Sequence, residues 1–112
     1  MEVIQRRLRI YETLNGKRPF EDWTRSLKDP VTVRRIQARL AGVSAGNLGD
    51  VKLIGDGVSE LRLAFGPGYR IYFGTDGEEL IILLSGGDKG SQDRDIIKAK
   101  EYWADYRRRV HG

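Results

Sequence analysis

Three cations stand out between Ser59 and Lys89: Arg62, Arg70 and Lys89. They lie on, or just past, a stretch of alternating apolar residues, SELRLAFGPGYRIYFGTDGEELIILLSGGDK, which reads as three strands joined by two tight turns. Cations fixed on a rigid sheet and backed by an apolar face suit a phosphate ligand, since a guanidinium grips it with two donors and an ammonium supplies a point charge. Arg62 has the parity opposite to Leu61 and Leu63, and Arg70 the parity opposite to Tyr69 and Ile71. Both are therefore expected on the open face of the sheet, close together if the Gly66-Pro67-Gly68 turn pairs the strands in the usual way. Lys89 follows the last strand and is within reach of that face. Tyr72 shares the open-face parity and is placed to stack on a base. The plainer alternative is three solvated charges with Glu60 or Glu79 as partners.

Other chemistries find little support. The chain has neither a GxxxxGK loop to cradle phosphates nor an HExxH pair. It has no cysteine, which removes disulfides and thiolate metal sites and fits a reducing cytoplasm. The one histidine, His111, lies one residue from the end of the sequence, where a floppy tail makes a poor catalytic base. No carboxylates cluster at ligand spacing. Neither a metal nor another cofactor is expected.

The elements that position the cations follow from periodicity. Residues 2–12 alternate, with Ile4, Leu8 and Ile10 on one parity and Gln5, Arg7 and Arg9 on the other, as in a half-buried strand. Pro19 opens a short helix with Phe20, Trp23 and Leu27 at helical spacing. Asp29-Pro30 opens a second, Asp as N-cap and Pro at the first turn. Its stripe is Val33, Ile36, Leu40 and Val43; Arg34, Arg35 and Arg39 lie off it, and Gly42, Gly46 and Gly49 are candidates to end it. Leu80 to Leu84 is apolar on both parities and reads as a central strand covered on both sides. Ser91 or Asp93 caps a last helix with the stripe Ile96, Ala99, Trp103, Tyr106 and Val110, and Arg107, Arg108 and Arg109 make a solvated end that suits the helix dipole.

The expected fold is a single α+β domain over residues 1–112: a sheet of about four strands, mostly antiparallel, with two N-terminal helices and one C-terminal helix on one face. Leu61, Leu63, Ile71, Phe73, Ile82 and Trp103 should be buried. Lysine and arginine number 20 against 16 acids, a formal net charge of +4, which favours a polyanion or an acidic protein as partner. No apolar run approaches the roughly 20 residues that span a bilayer, and the N-terminus lacks the apolar block of a signal peptide, so no membrane partner is expected.

The motif ELRLAFGPGYRIYF, followed by a TDG hairpin, LLSGGDK and a helix opening SQDRDI, resembles the RelE/ParE superfamily of toxin–antitoxin systems. Within it the chain looks most like the HigB-like addiction-module killer proteins. The N-terminal strand, the PFEDW helix start and the GDVKLIGDGVSELR lead-in agree, so the resemblance covers nearly the whole chain. It implies a cytoplasmic type II toxin, neutralised by a cognate antitoxin that is a small helix-turn-helix protein. It further implies ribosome-dependent, metal-independent cleavage of mRNA. The alternatives within the superfamily are a ParE-like gyrase poison and a non-catalytic antitoxin-binding module.

Cleavage by a 2′-hydroxyl needs a base, charge stabilisation at phosphorus and an acid for the leaving oxygen. By motif, the arginine after GY is Arg70, the basic residue on the preceding strand is Arg62, and the basic residue past the last strand is Lys89. The resemblance gives Arg62 and Arg70 phosphate stabilisation and Lys89 leaving-group protonation or phosphate binding. Glu60 stands where a further basic residue is expected, as either the base or a partner of Arg62. The tyrosine expected early in the last helix is absent, with Ile96 near its place, and the sheet carries no histidine. Tyr72, Lys52, Arg34 and Arg35 complete the set expected to touch RNA.

Overall fold

The computed structural model describes residues 4–112; the start of the first expected strand lies outside them. The chain runs β1 (Arg7–Ile10), α1 (Pro19–Ser26), α2 (Pro30–Ser44), β2 (Val51–Gly55), β3 (Val58–Arg62), β4 (Arg70–Asp76), β5 (Leu80–Gly87), a single 3-10 turn (Lys89–Ser91) and α3 (Gln92–His111). The α+β class and the helix order agree with the sequence reading. The sheet has five strands in the order β1-β5-β4-β3-β2. β1 pairs with β5 in parallel, and the other pairings are antiparallel.

The strand beyond the expected four is β2. It joins β3 through Asp56-Gly57, both at positive φ (56° and 82°), which is the geometry of a two-residue hairpin that follows the twist of the strands. Asp-Gly is the standard signal for that turn. Its strand escapes the alternation test because Val51–Gly55 is an edge strand with little burial on either face.

The helices do not share one face. α1 and α2 cover the side carrying Leu61, Ile71, Phe73, Ile81 and Leu83. α3 covers the other, carrying Val58, Tyr72, Ile82 and Leu84, with Ala99, Trp103 and Tyr106 packed down on it. The expected open face is therefore a second core. All six residues expected inside are buried, none more than 5 % exposed. β5 is covered on both sides, as its unbroken apolar run requires.

Two glycines make the close approach of the helices possible. A Cβ on Gly74 would strike the Trp103 ring on one face, and a Cβ on Gly86 would strike the Trp23 ring on the other. Asp29 caps α2, accepting from the Val31 N–H and Thr32 hydroxyl at 3.0 Å, with Pro30 in the first turn. α2 runs through Gly42 to Ser44, so the helix ends at Ala45 and Gly46. Asp88, rather than Ser91 or Asp93, makes the side-chain cap before α3, in a reciprocal pair with Ser91.

The end of α3 is no loose tail. Tyr11 donates to Asp105 and Tyr106 to Asp76, each at 2.6 Å, and His111 lies 2.9 Å from the same Asp76 carboxylate. Arg109 also reaches Asp105 and the Glu12 carbonyl, so this exposed side chain is tied down as well as solvated. Among the described residues no helix is long and apolar enough to cross a membrane.

Candidate functional site

β3 and β4 place Arg62 directly opposite Arg70. Like charges facing each other across strands repel unless something compensates them. The compensation is Glu60, two residues back on β3 and so on the same face. Glu60 Oε1 lies 3.1 Å from Arg62 Nε, and Oε2 lies 3.5 Å from Arg70 Nε. Gln92, the first residue of α3, donates to Oε2 at 2.9 Å. The sequence reading missed Gln92, and no periodic or motif signal marks it; only the docking of α3 brings it to the sheet.

Glu60 is fully buried. Burial acts to raise its pKa. The hydrogen bonds from Gln92 and Arg62, the charge of Arg70 and the Tyr72 hydroxyl outweigh burial and hold it below the usual carboxylate range. A buried carboxylate kept ionised by two guanidinium groups is a weak base. Of the two roles open to Glu60, the geometry supports the partner, and for both arginines.

Tyr72 contradicts the expectation of an exposed stacking platform. It is wholly buried under α3 because its parity faces the second core. Burial and the charges of Glu60 and Asp95 keep its phenol protonated, and its hydroxyl has no partner in good hydrogen-bonding geometry. It packs behind the arginine pair and cannot meet a base.

Arg70 donates to the Gly68 carbonyl at 2.7 Å, with its side chain 13 % exposed. Gly68, at φ 78°, lies between Arg70 and Lys89: a Cβ there would stand 3.1 Å from Arg70 Nη1 and 3.2 Å from Lys89 Cβ. Lys89 is thus a neighbour of the pair, and its N–H also donates to the Pro67 carbonyl at 3.3 Å. Its side chain is exposed, and Arg62 is 36 % exposed. The turn itself is braced from the other face by an aromatic chain. Trp23 lies 6.0 Å from Tyr69, and Tyr69 5.8 Å from Phe65, ring centre to ring centre.

The remaining expected contacts separate. Lys52 stands across from Glu60 on β2, with its side chain exposed. Arg34 is exposed on α2 and joins no part of the cluster. Arg35, on the α2 side of the sheet, lies over Phe65 at 4.0 Å and lines a groove of about 610 Å³ whose lining includes Arg62.

Arg62, Arg70 and Lys89 therefore come together, with Glu60 as the buried anchor of the two arginines. The arrangement can hold an anion against preset guanidinium groups at the rim of the sheet. No protein-family model matches the chain. It is 44 % identical over 81 residues to an uncharacterized protein of Haemophilus influenzae, a span of 72 % of this chain and 82 % of that one. The chain belongs to the same family as that Haemophilus influenzae protein.

Proposed function

We propose that this chain is the toxin of a type II toxin–antitoxin pair and cuts mRNA on the ribosome in the cytoplasm. The observation that carries the reading is the facing pair Arg62–Arg70, held by Glu60 beside the exposed Lys89. A phosphate at this rim meets two oriented guanidinium groups and an ammonium. Charge gathering on the equatorial oxygens as the 2′-oxygen attacks is stabilised there. Lys89, exposed beside the pair, is placed to protonate the leaving 5′-oxygen or bind the same phosphate. The net charge of +4 supports the approach of a ribosome–mRNA complex, and the antitoxin is expected to present an acidic segment to the same cations.

One observation favours a second reading. Glu60, the carboxylate in contact with both arginines, is buried and held ionised by them, which suits an anchor better than a base. A non-catalytic antitoxin-binding module or a gyrase poison needs no base. The experiment is induction in cells with primer extension on the recovered RNA, followed by cleavage on programmed ribosomes with purified protein. The proposal expects growth arrest with new RNA ends, abolished in Arg70→Ala. Growth arrest without new ends gives the gyrase reading, and normal growth with soluble protein present removes the toxin reading altogether.

A further inference from the structure

We infer that the groove between α2 and the β3–β4 loop is a nucleobase subsite, where a base next to the cleaved phosphate stacks on the guanidinium of Arg35. The inference rests on the reading of the chain as an RNA-cutting toxin and names how that site would choose its sequence. Arg35 lies over Phe65, its guanidinium carbon 4.0 Å from the ring centre. Phe65 is half-buried and fixed edge-on against Tyr69 at 5.8 Å, whereas Arg35 is exposed. The guanidinium is thus held against a half-buried ring while the rest of the Arg35 side chain stays exposed, and a planar group can pack on it from the solvent side. Unpaired bases stack on guanidinium planes, and the contact tolerates any base with a π-face while the groove walls select among them.

The groove meets the arginine pair at one member, because Arg62 lines it and also contacts Glu60 at 3.1 Å. Its volume of about 610 Å³ is that of an ordinary ligand cleft. Leu63, Ala64 and Ala38 supply apolar surface, and Asp50 is the one acid among its lining residues against the arginines at 35, 39 and 62. Arg39 closes the wall through hydrogen bonds to the carbonyls of Asn47 and Leu48. A planar, uncharged group next to a phosphate fits this lining. An acidic peptide would use the charges and leave the stacking plane without a role.

The test uses ribosomes programmed with mRNA that carries a 2′-O-methyl block at the scissile nucleotide and 2-aminopurine at one neighbouring position at a time. With the wild-type chain, fluorescence should be quenched at one position beside the block. Phe65→Leu and Arg35→Ala should lose that quenching, Arg35→Lys should keep part of it, and affinity should fall about fivefold or more. On unblocked mRNA the same variants should lose base preference at that position while still cutting. Quenching that survives both variants, or RNA that binds and is cut with no position quenched, overturns the subsite and leaves the nuclease reading intact. Wild-type protein that neither binds programmed ribosomes nor cuts their mRNA overturns both. Circular dichroism of each variant checks the fold, and Phe65→Leu retains an apolar side chain there.

Discussion

Arg62 and Arg70 face each other on neighbouring antiparallel strands, and each meets a different oxygen of one buried carboxylate through its Nε. Two guanidinium groups are thereby set in place before any ligand arrives. Glu60 holds them on the sheet, Gln92 ties the same carboxylate to the start of α3, and the Gly68 carbonyl fixes Arg70 from the turn. The relationship links the fold to the proposed chemistry: the position of α3 decides the geometry of the cation cluster.

Arg70→Ala should lower the rate of mRNA cleavage on programmed ribosomes by roughly a hundredfold, the usual cost of removing one preset donor from a developing charge. Arg70→Lys should recover only part, because a point charge replaces the planar fork. Lys89→Ala should weaken cleavage less, and Arg108→Ala, whose side chain is 70 % exposed at the far end of α3, should leave it unchanged. Rates are to be taken at temperatures where circular dichroism shows each variant folded. Full activity in a folded Arg70→Ala removes the site.

Glu60→Leu should destabilise the chain by about 3 kcal/mol in urea unfolding, since it leaves the largely buried Arg70 without its counter-charge. Glu60→Gln separates anchor from base. An anchor predicts that Glu60→Gln still cuts RNA with an unaltered pH–rate profile. If Glu60 takes the proton from the 2′-hydroxyl, that variant instead loses activity and the acid limb of the profile.

Among the described residues, three carboxyls are held below their ordinary values. Glu60 overcomes burial through Gln92, Arg62 and Arg70. Asp76 is lowered by its hydrogen bonds from Tyr106 and His111, and Asp105 by those from Arg109 and Tyr11. Each takes up its proton more readily in the unfolded chain. Their contribution is therefore complete above the ordinary carboxylate range and is lost as pH falls through the folded values. Thermal stability should be nearly flat from neutrality to about pH 5 and decline below it. The decline should be shallower in Glu60→Gln. Tyr106→Phe should cost about 1 kcal/mol and move the Asp76 titration, followed by carboxyl NMR, back toward its ordinary position.

Two glycine replacements should have opposite signs. Gly42 lies inside α2 with the nearest obstacle to a Cβ 4.0 Å away, so Gly42→Ala should stabilise by roughly 0.5–1 kcal/mol. Gly74→Ala pushes a methyl into the Trp103 ring and should destabilise by about 1–3 kcal/mol. Equal effects in denaturant melts would show that Trp103 does not lie on the sheet as described.

Much of this was legible in the sequence because it is set locally. Alternation fixes which residues of β3, β4 and β5 share a face, so the burial of Leu61, Ile71 and Ile82 and the facing of Arg62 and Arg70 follow from parity and one turn. Asp29-Pro30 fixes the start of α2 by a cap and a preset φ. Parity cannot tell which face stays open, because that depends on where a helix far along the chain comes to rest. α3 settles on the face carrying Glu60 and Tyr72; this turns an expected stacking tyrosine into core, and of the two roles open to Glu60, base or partner of Arg62, it favours the buried partner. Gln92 and Asp95 reach the cluster only through that docking, and the Arg35–Phe65 contact exists only because α2 and the β3–β4 loop meet on the opposite side. Short-range stereochemistry is written residue by residue, while contacts between distant segments are decided by packing the whole chain at once.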